Sequence, residues 1–155
     1  MKKLLLVFAL LMLGNMAVKA QTDYRAALGL GIDLYGGDLT FFGASGKYFF
    51  SEKHVGQADF GLEDNATIAT FLYSFHKEFF RAPGLRWYAG AGPSIIFKKN
   101  TDNIFALRPH LGLDFKIDGV PVVLNFDWRP SVVLSNVGEN EVAAFGFGLQ
   151  FAINN

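Results

Sequence analysis

Ser94, His110 and Asp114 are the residues of this chain whose types could do nucleophilic chemistry. A serine hydroxyl beside an imidazole that a carboxylate orients is the constellation of acyl transfer. If the segments around them are extended, all three side chains fall on one face, so a hydrolase or lipid acyl-transfer site can be drawn. No Gly-x-Ser-x-Gly elbow accompanies Ser94, and the spacing is not diagnostic. Metal chemistry has less to work with. His54, His76 and His110 lie on three separate segments with no short His-x-x-x-His spacing, and the chain has no cysteine, so neither a metal centre nor a thiolate is expected. Gly29 with Gly31 and Gly90 with Gly92 superficially resemble a phosphate loop, but they precede no helix and make room in a tight, curved sheet instead. No catalytic, cofactor-binding or metal-ligating residues are assigned, and no cofactor is expected.

A larger polar set consists of Arg25, Asp33, Lys47, Asp59, His76, Glu78, Arg108, His110, Asp114, Lys116, Asp127 and Arg129. Its members recur between apolar residues at every second position. In the carboxy-terminal third, one stripe reads Leu107, Leu111, Leu113, Phe115, then Val122, Leu124, Phe126, Trp128, then Phe145, Phe147, Leu149, Phe151. Arg108, His110, Asp114, Lys116, Asn125, Asp127, Arg129 and Gln150 fall between them. A period of two residues means extended strands with one apolar and one polar face. Apolar residues do not recur at the spacing of a helix.

Turn-forming clusters at 36–38, 51–53, 63–65, 81–84, 98–103, 118–119 and 135–141 divide the chain into eight strands: 24–35, 39–50, 54–62, 66–79, 85–97, 105–117, 120–134 and 142–153. Residues 1–20, with Lys2 and Lys3, an apolar run over 4–13 and Val18-Lys19-Ala20 before Gln21, have the layout of a cleaved secretory signal peptide. Residues 21–155 then form one domain. Cleavage removes three of the 14 basic residues and leaves 11 against 14 acidic ones, a net charge of −3. That balance carries no signature of nucleic-acid binding. Beyond the leader no apolar stretch approaches the length of a spanning helix, so any membrane span must be built from strands.

The orientation of the two stripes decides the function class. A soluble lipocalin-like binder would hold its apolar stripe inside. Here that stripe is rich in Phe, Tyr and Trp, too much bulk for an eight-stranded interior, which is only wide enough for side chains to fill or for one small ligand. An Arg or Lys turned into hydrocarbon near the midplane would cost about 2 to 4 kcal/mol. The polar stripe is therefore expected inside, opposite charges paired across neighbouring strands, and the apolar stripe against lipid. Aromatic girdles at both interfaces fit this arrangement: Tyr24, Tyr48, Phe50, Phe79, Phe80, Trp87 and Phe151 at the periplasmic rim, and Tyr35, Phe41, Phe42, Phe97 and Phe105 at the outer rim. The outer loops 36–38, 63–65, 98–104 and 135–141 are short.

The alternating final strand 143–151, the segment Trp87-Tyr88-Ala89-Gly90-Ala91-Gly92-Pro93, and the segment Pro121-Val122-Val123-Leu124-Asn125-Phe126-Asp127-Trp128-Arg129-Pro130 together resemble the small OmpA/OmpX-type outer-membrane β-barrel family. The resemblance covers the whole mature chain. It implies an all-β, eight-stranded, antiparallel up-and-down transmembrane barrel in the bacterial outer membrane, in contact with outer-membrane lipid. It also implies insertion by the barrel-assembly machinery, which reads an aromatic-rich final strand; this one ends Ala152-Ile153-Asn154-Asn155 rather than on an aromatic. The function expected is non-enzymatic, in envelope integrity or surface interaction, with the surface or periplasmic protein partner unidentified. The alternatives are a narrow porin-like channel for ions or small solutes, a lipid-modifying outer-membrane enzyme, and a soluble lipocalin-like binder.

Overall fold

The computed structural model describes residues 24–37 and 39–153. The expected leader, Gln21, Asp38 and the last two asparagines lie outside the described residues. The strands are β1 (Ala26–Tyr35), β2 (Leu39–Phe49), β3 (His54–Glu63), β4 (Ala66–Glu78), β5 (Leu85–Lys98), β6 (Ile104–Lys116), β7 (Val122–Trp128), β8 (Val132–Val133) and β9 (Ala144–Ile153). Each is antiparallel to its neighbours, β5 pairs with β6, and β1 pairs with β9, so the sheet closes on itself. β7 and β8 are two pieces of one stave, and the barrel has eight staves. Closure pairs the long strands on both sides, while the two-residue β8 pairs with β6.

Parity explains which residues turn inward. Along β6 buried and exposed positions alternate almost without error, because successive Cβ atoms point to opposite faces of a strand. The buried members are Ala106, Arg108, His110, Asp114 and Lys116; the exposed members are Phe105, Leu107, Leu111, Leu113 and Phe115. The sorting is the inverse of a soluble protein's. Leu30 is 68% exposed while Arg108, Asp114 and Asp127 are 0% exposed.

Apart from Leu72 midway along β4 and the Tyr88 ring, the large apolar side chains of the interior gather at its ends. At the end where Tyr24 and Ile153 lie, hereafter the near end, Tyr24, Ala27, Phe49, Val55, Val123 and Ala152 form one buried cluster. At the far end Phe41, Ala66, Ile68, Ile96 and Ile104 form another, with Tyr35, Leu39, Val133 and Val137 packed against it. Tyr24, Tyr35 and Phe41 therefore belong to the plugs inside the barrel, not to the aromatic girdles expected of them. Phe41 sits at an inward-facing position of β2, two residues from Gly43 and four from Ser45, and the tapering end of the barrel has room for its ring. Tyr48, Phe50, Phe79, Phe80 and Phe151 at the near end, and Phe42, Phe97 and Phe105 at the far end, are exposed, as a girdle requires.

The seventh stave is expected as one strand but breaks after Trp128. Leu107 pairs with Val132 and Leu111 with Trp128, which sets Pro109 directly opposite Pro130. Neither proline has an N–H for the ladder, so pairing lapses between them and resumes at β8. The carbonyl oxygen of Arg129 is left free to accept from Arg108, at 3.3 Å from Nε and 3.1 Å from Nη2.

Candidate functional site

The interior polar side chains form two groups joined by Tyr88. The larger group lies toward the middle. Arg108 Nη1 and Nη2 donate to the two oxygens of Asp33 at 2.5 and 3.0 Å, a bidentate pair. Arg129 donates from Nε and Nη2 to Asp127, the latter at 2.7 Å, and from Nη1 to Asp59 at 2.7 Å. Its Nη1 also stands 4.0 Å from Asp33. Gly146 makes room for this side chain: a Cβ there would overlap the guanidinium. Asp59 further accepts from Ser45 at 2.5 Å and from Gln57 at 2.8 and 3.1 Å. Gln150 donates to Ser45 at 2.7 Å and accepts from Asn125 at 3.3 Å. The hydrogen bonds thus run around the barrel through side chains of β1, β2, β3, β6, β7 and β9.

The second group sits behind the near-end plug. Lys47 Nζ and Tyr24 Oη both donate to Asp114 Oδ2 at 2.6 Å. His76 Nδ1 is 4.0 Å from the same oxygen, and its Nε2 shares a 3.1 Å hydrogen bond with Ser74. Arg86 pairs with Glu78 at 3.1 Å and lies over the rings of Phe49 and Tyr24 at 5.1 and 5.7 Å. Tyr88 bridges the two groups: its hydroxyl donates to Asp127 at 2.7 Å while its ring stacks on His76 at 4.6 Å and meets His110 at 5.5 Å.

Most of the twelve polar residues singled out from the sequence converge in the interior, but three depart. Arg25 is exposed, its guanidinium over the Tyr48 ring at 5.6 Å. The strand starts two residues later than expected, the chain bends at Arg25, and Tyr24 takes the inward place. Glu78 is inward in parity but lies at the mouth, its side chain 54% exposed. Lys116 is buried but pairs with no carboxylate among the described residues; it donates to the carbonyls of Ile117 and Val120 at 2.9 and 2.6 Å and ties down the β6–β7 turn. Arg86, Tyr24 and Tyr88 are members that the charge list missed. Arg86 has the parity of Tyr88 and Gly90 and was legible on that ground.

The would-be nucleophilic constellation is not assembled. His110 pairs across to Gly90, four residues from Ser94 on β5, a separation of about 13 Å along the strand at 3.3 Å per residue. Ser94 bonds Thr70 at 2.9 Å and the carbonyl of Ala69 at 3.3 Å, and Asp114 is held by Lys47 and Tyr24. The histidines do not converge either. His54 is on the outer wall, hydrogen-bonded to Tyr73, and the Tyr88 ring contacts both His76 and His110. Among the described residues no three ligating side chains gather for a metal. Asp33, Phe41, Ser45, Gln57, Asp59 and Arg129 border an interior cavity of about 10 Å³, room for about one water molecule.

The fold and its interior define a small closed β-barrel of eight antiparallel staves with a filled, ionic centre. Among solved structures the chain is similar to the N-terminal β-barrel domain of Pseudomonas aeruginosa OprF, with a TM-score of 0.63 and 14% identity over 87% of this chain and 100% of that one. No family model matches the sequence, and no curated protein does. At this identity the likeness establishes the architecture.

Proposed function

We propose that this chain is a non-enzymatic integral protein of the bacterial outer membrane, exported by residues 1–20, with a role in envelope integrity or surface interaction and no open channel. The observation that carries this reading is the inverted sorting of the wall. Leu, Phe, Tyr and Trp cover the outside of every stave, and ions, hydrogen-bonded to one another, occupy the inside. Exposed to water, that outer surface would far exceed the apolar patch of a few hundred Å² usual for a soluble monomer. Against acyl chains it is the favourable arrangement. The likeness to the OprF barrel domain supports the same reading. Both ends of the interior carry apolar plugs, and eight staves leave no aqueous channel of themselves, which favours a closed barrel over the porin-like alternative. The short loops 64–65 and 99–103 and the longer segment 134–143 would be the surface parts available to a protein partner.

Two measurements on one sample test this. The mature chain, refolded in detergent and run with and without boiling, should migrate as a compact heat-modifiable species. In planar bilayers it should show no persistent conductance steps. A chain that stays in aqueous buffer as a monomer sinks the membrane assignment; steady open steps that shift when Arg108 or Arg129 is neutralised sink the closed one.

A further inference from the structure

We propose that the outer wall carries a binding site for an anionic phospholipid, one acyl chain lying in a groove between β1 and β4 and the phosphate at Arg25; the inference rests on the membrane reading above. Large side chains tile much of the wall, and small ones replace them in a stretch between β1 and β4. Leu28 is registered with Gly46, Gly46 with Ala58, and Ala58 with Phe71. One step toward the near end Tyr48 is registered with Gly56, and Gly56 with Tyr73. Gly46 and Ala58 thus floor a trough whose walls are Leu28 and Tyr48 on one side and Phe71 and Tyr73 on the other, with the Phe50 ring lying over Gly56 at its near end.

The groove has a volume of about 730 Å³ and an almost wholly apolar lining, within the range of sites that enclose a small ligand. A further apolar depression of about 830 Å³ lies on the wall over Leu30, Leu113, Leu124, Phe126 and Leu149, but its lining holds no basic residue.

The near-end mouth of the groove is basic. Arg25 leaves the interior to lie over Tyr48, one of the groove walls, and no carboxylate among the described residues pairs with it. On the opposite wall His54 hydrogen-bonds and stacks on Tyr73. Lys53 stands in the adjoining turn, which also carries Glu52. A chain-shaped apolar trough opening at a cationic rim, at the level where a headgroup would sit, matches a phospholipid with a negative headgroup. A second copy of the barrel fits less well. A two-fold contact places the same patch against itself, which would bring two Arg25 mouths together.

The test uses the mature full-length chain in nanodiscs containing phosphatidylglycerol or phosphatidylcholine, each with a photoreactive group on one acyl chain, followed by peptide mapping. Wild type should be labelled at residues 44–60 and 71–73 at least fivefold more than at 105–111. Ala58→Phe, which fills the trough from the lipid side and touches no interior residue, should abolish that excess. Arg25→Gln should lower the preference for the glycerol headgroup by about fivefold, the scale of one basic residue at an anionic surface, while acyl labelling persists. Even labelling around the wall, an excess that survives Ala58→Phe, or cross-links between two copies through β2 to β4 would each overturn the inference. Heat-modifiable mobility of the same samples separates this from failure of the membrane reading: a barrel that inserts but labels evenly refutes the groove alone, and a chain that never inserts refutes both.

Discussion

Replacing Arg129 by alanine tests whether the interior is held by its ion pairs. The guanidinium lies between Asp127 and Asp59, with Asp33 at 4.0 Å, and is 3% exposed. In its group Arg108 and Arg129 face Asp33, Asp59 and Asp127. Deleting Arg129 leaves one cation for three carboxylates. Asp127 would then keep only the Tyr88 hydroxyl, while Asp59 would keep Ser45 and Gln57. Two unit charges about 4 Å apart interact by about 4 kcal/mol at an effective dielectric of about 20, and breaking a buried pair from one side typically costs about 3 to 5 kcal/mol. The expected loss for Arg129→Ala is therefore about 3 to 5 kcal/mol of unfolding free energy. The readout is urea unfolding of the refolded barrel in lipid vesicles, followed by the fluorescence of Trp87 and Trp128. Arg129→Ala with Asp127→Asn should recover part of the loss, because one orphaned carboxylate is gone; the double-mutant cycle isolates that coupling. An unchanged midpoint in the single variant refutes the paired interior. A loss that Asp127→Asn leaves untouched assigns the effect to packing instead of charge.

Four further outcomes follow from the same geometry. Tyr88→Phe removes a donor from buried Asp127 and should destabilise by about 1 to 3 kcal/mol in the same unfolding assay. Gly90→Ala should fail to form the heat-modifiable species in good yield, because a Cβ there overlaps the Tyr73 carbonyl oxygen and the neighbouring backbone has nowhere to move; wild-type yield would contradict the close approach of β4 and β5. Leu113→Arg, outward on β6, should cost about 2 to 4 kcal/mol in vesicles, and a neutral result would argue that this wall does not meet hydrocarbon. Phe41→Ala, in the far-end plug, should destabilise by about 3 to 5 kcal/mol yet remain silent in planar bilayers, since the near-end plug and the ion network are intact.

Alternation made the staves legible. It placed seven of the eight within a few residues, and it assigned Asp33, Lys47, Asp59, His76, Arg108, His110, Asp114, Asp127 and Arg129 to the interior where the structure has them. Periodicity fails where the strand stops, since parity has no meaning outside extended backbone. Tyr24 and Arg25 exchange faces because the chain bends before β1, and no local pattern marks that bend. The ends of a barrel mislead in another way: a phenylalanine near a strand terminus satisfies a girdle and a plug equally well in sequence. Phe41 and Phe42 are adjacent and alike, and only the inward parity of Phe41 separates them. The break in the seventh stave was hidden for a third reason. Pro130 alone is tolerable in a strand; its effect depends on Pro109 facing it, which is a fact of register. Partner choice within the charge set was beyond the sequence altogether, because Arg129 reaches Asp59 across the barrel at a separation of 70 residues.

The interior divides its work between the two kinds of side chain. Among the described residues, Lys47, Arg86, Arg108, Lys116 and Arg129 balance Asp33, Asp59, Asp114, Asp127 and, at the mouth, Glu78, so the charges of the interior and its rim sum to zero. That neutrality does not by itself close a path, because paired ions can exchange partners and admit water between them. The plugs do. Phe49, Val55 and Val123 at one end and Phe41, Ile68 and Ile96 at the other offer no polar group to an ion that has shed its water, and such stripping is costly in an apolar surround. A variant that upsets the charges should loosen the barrel without opening it, and conduction should require both plugs to be cut back. Conductance in Arg129→Ala with both plugs intact would show that the ion pairs, not the apolar ends, are the seal.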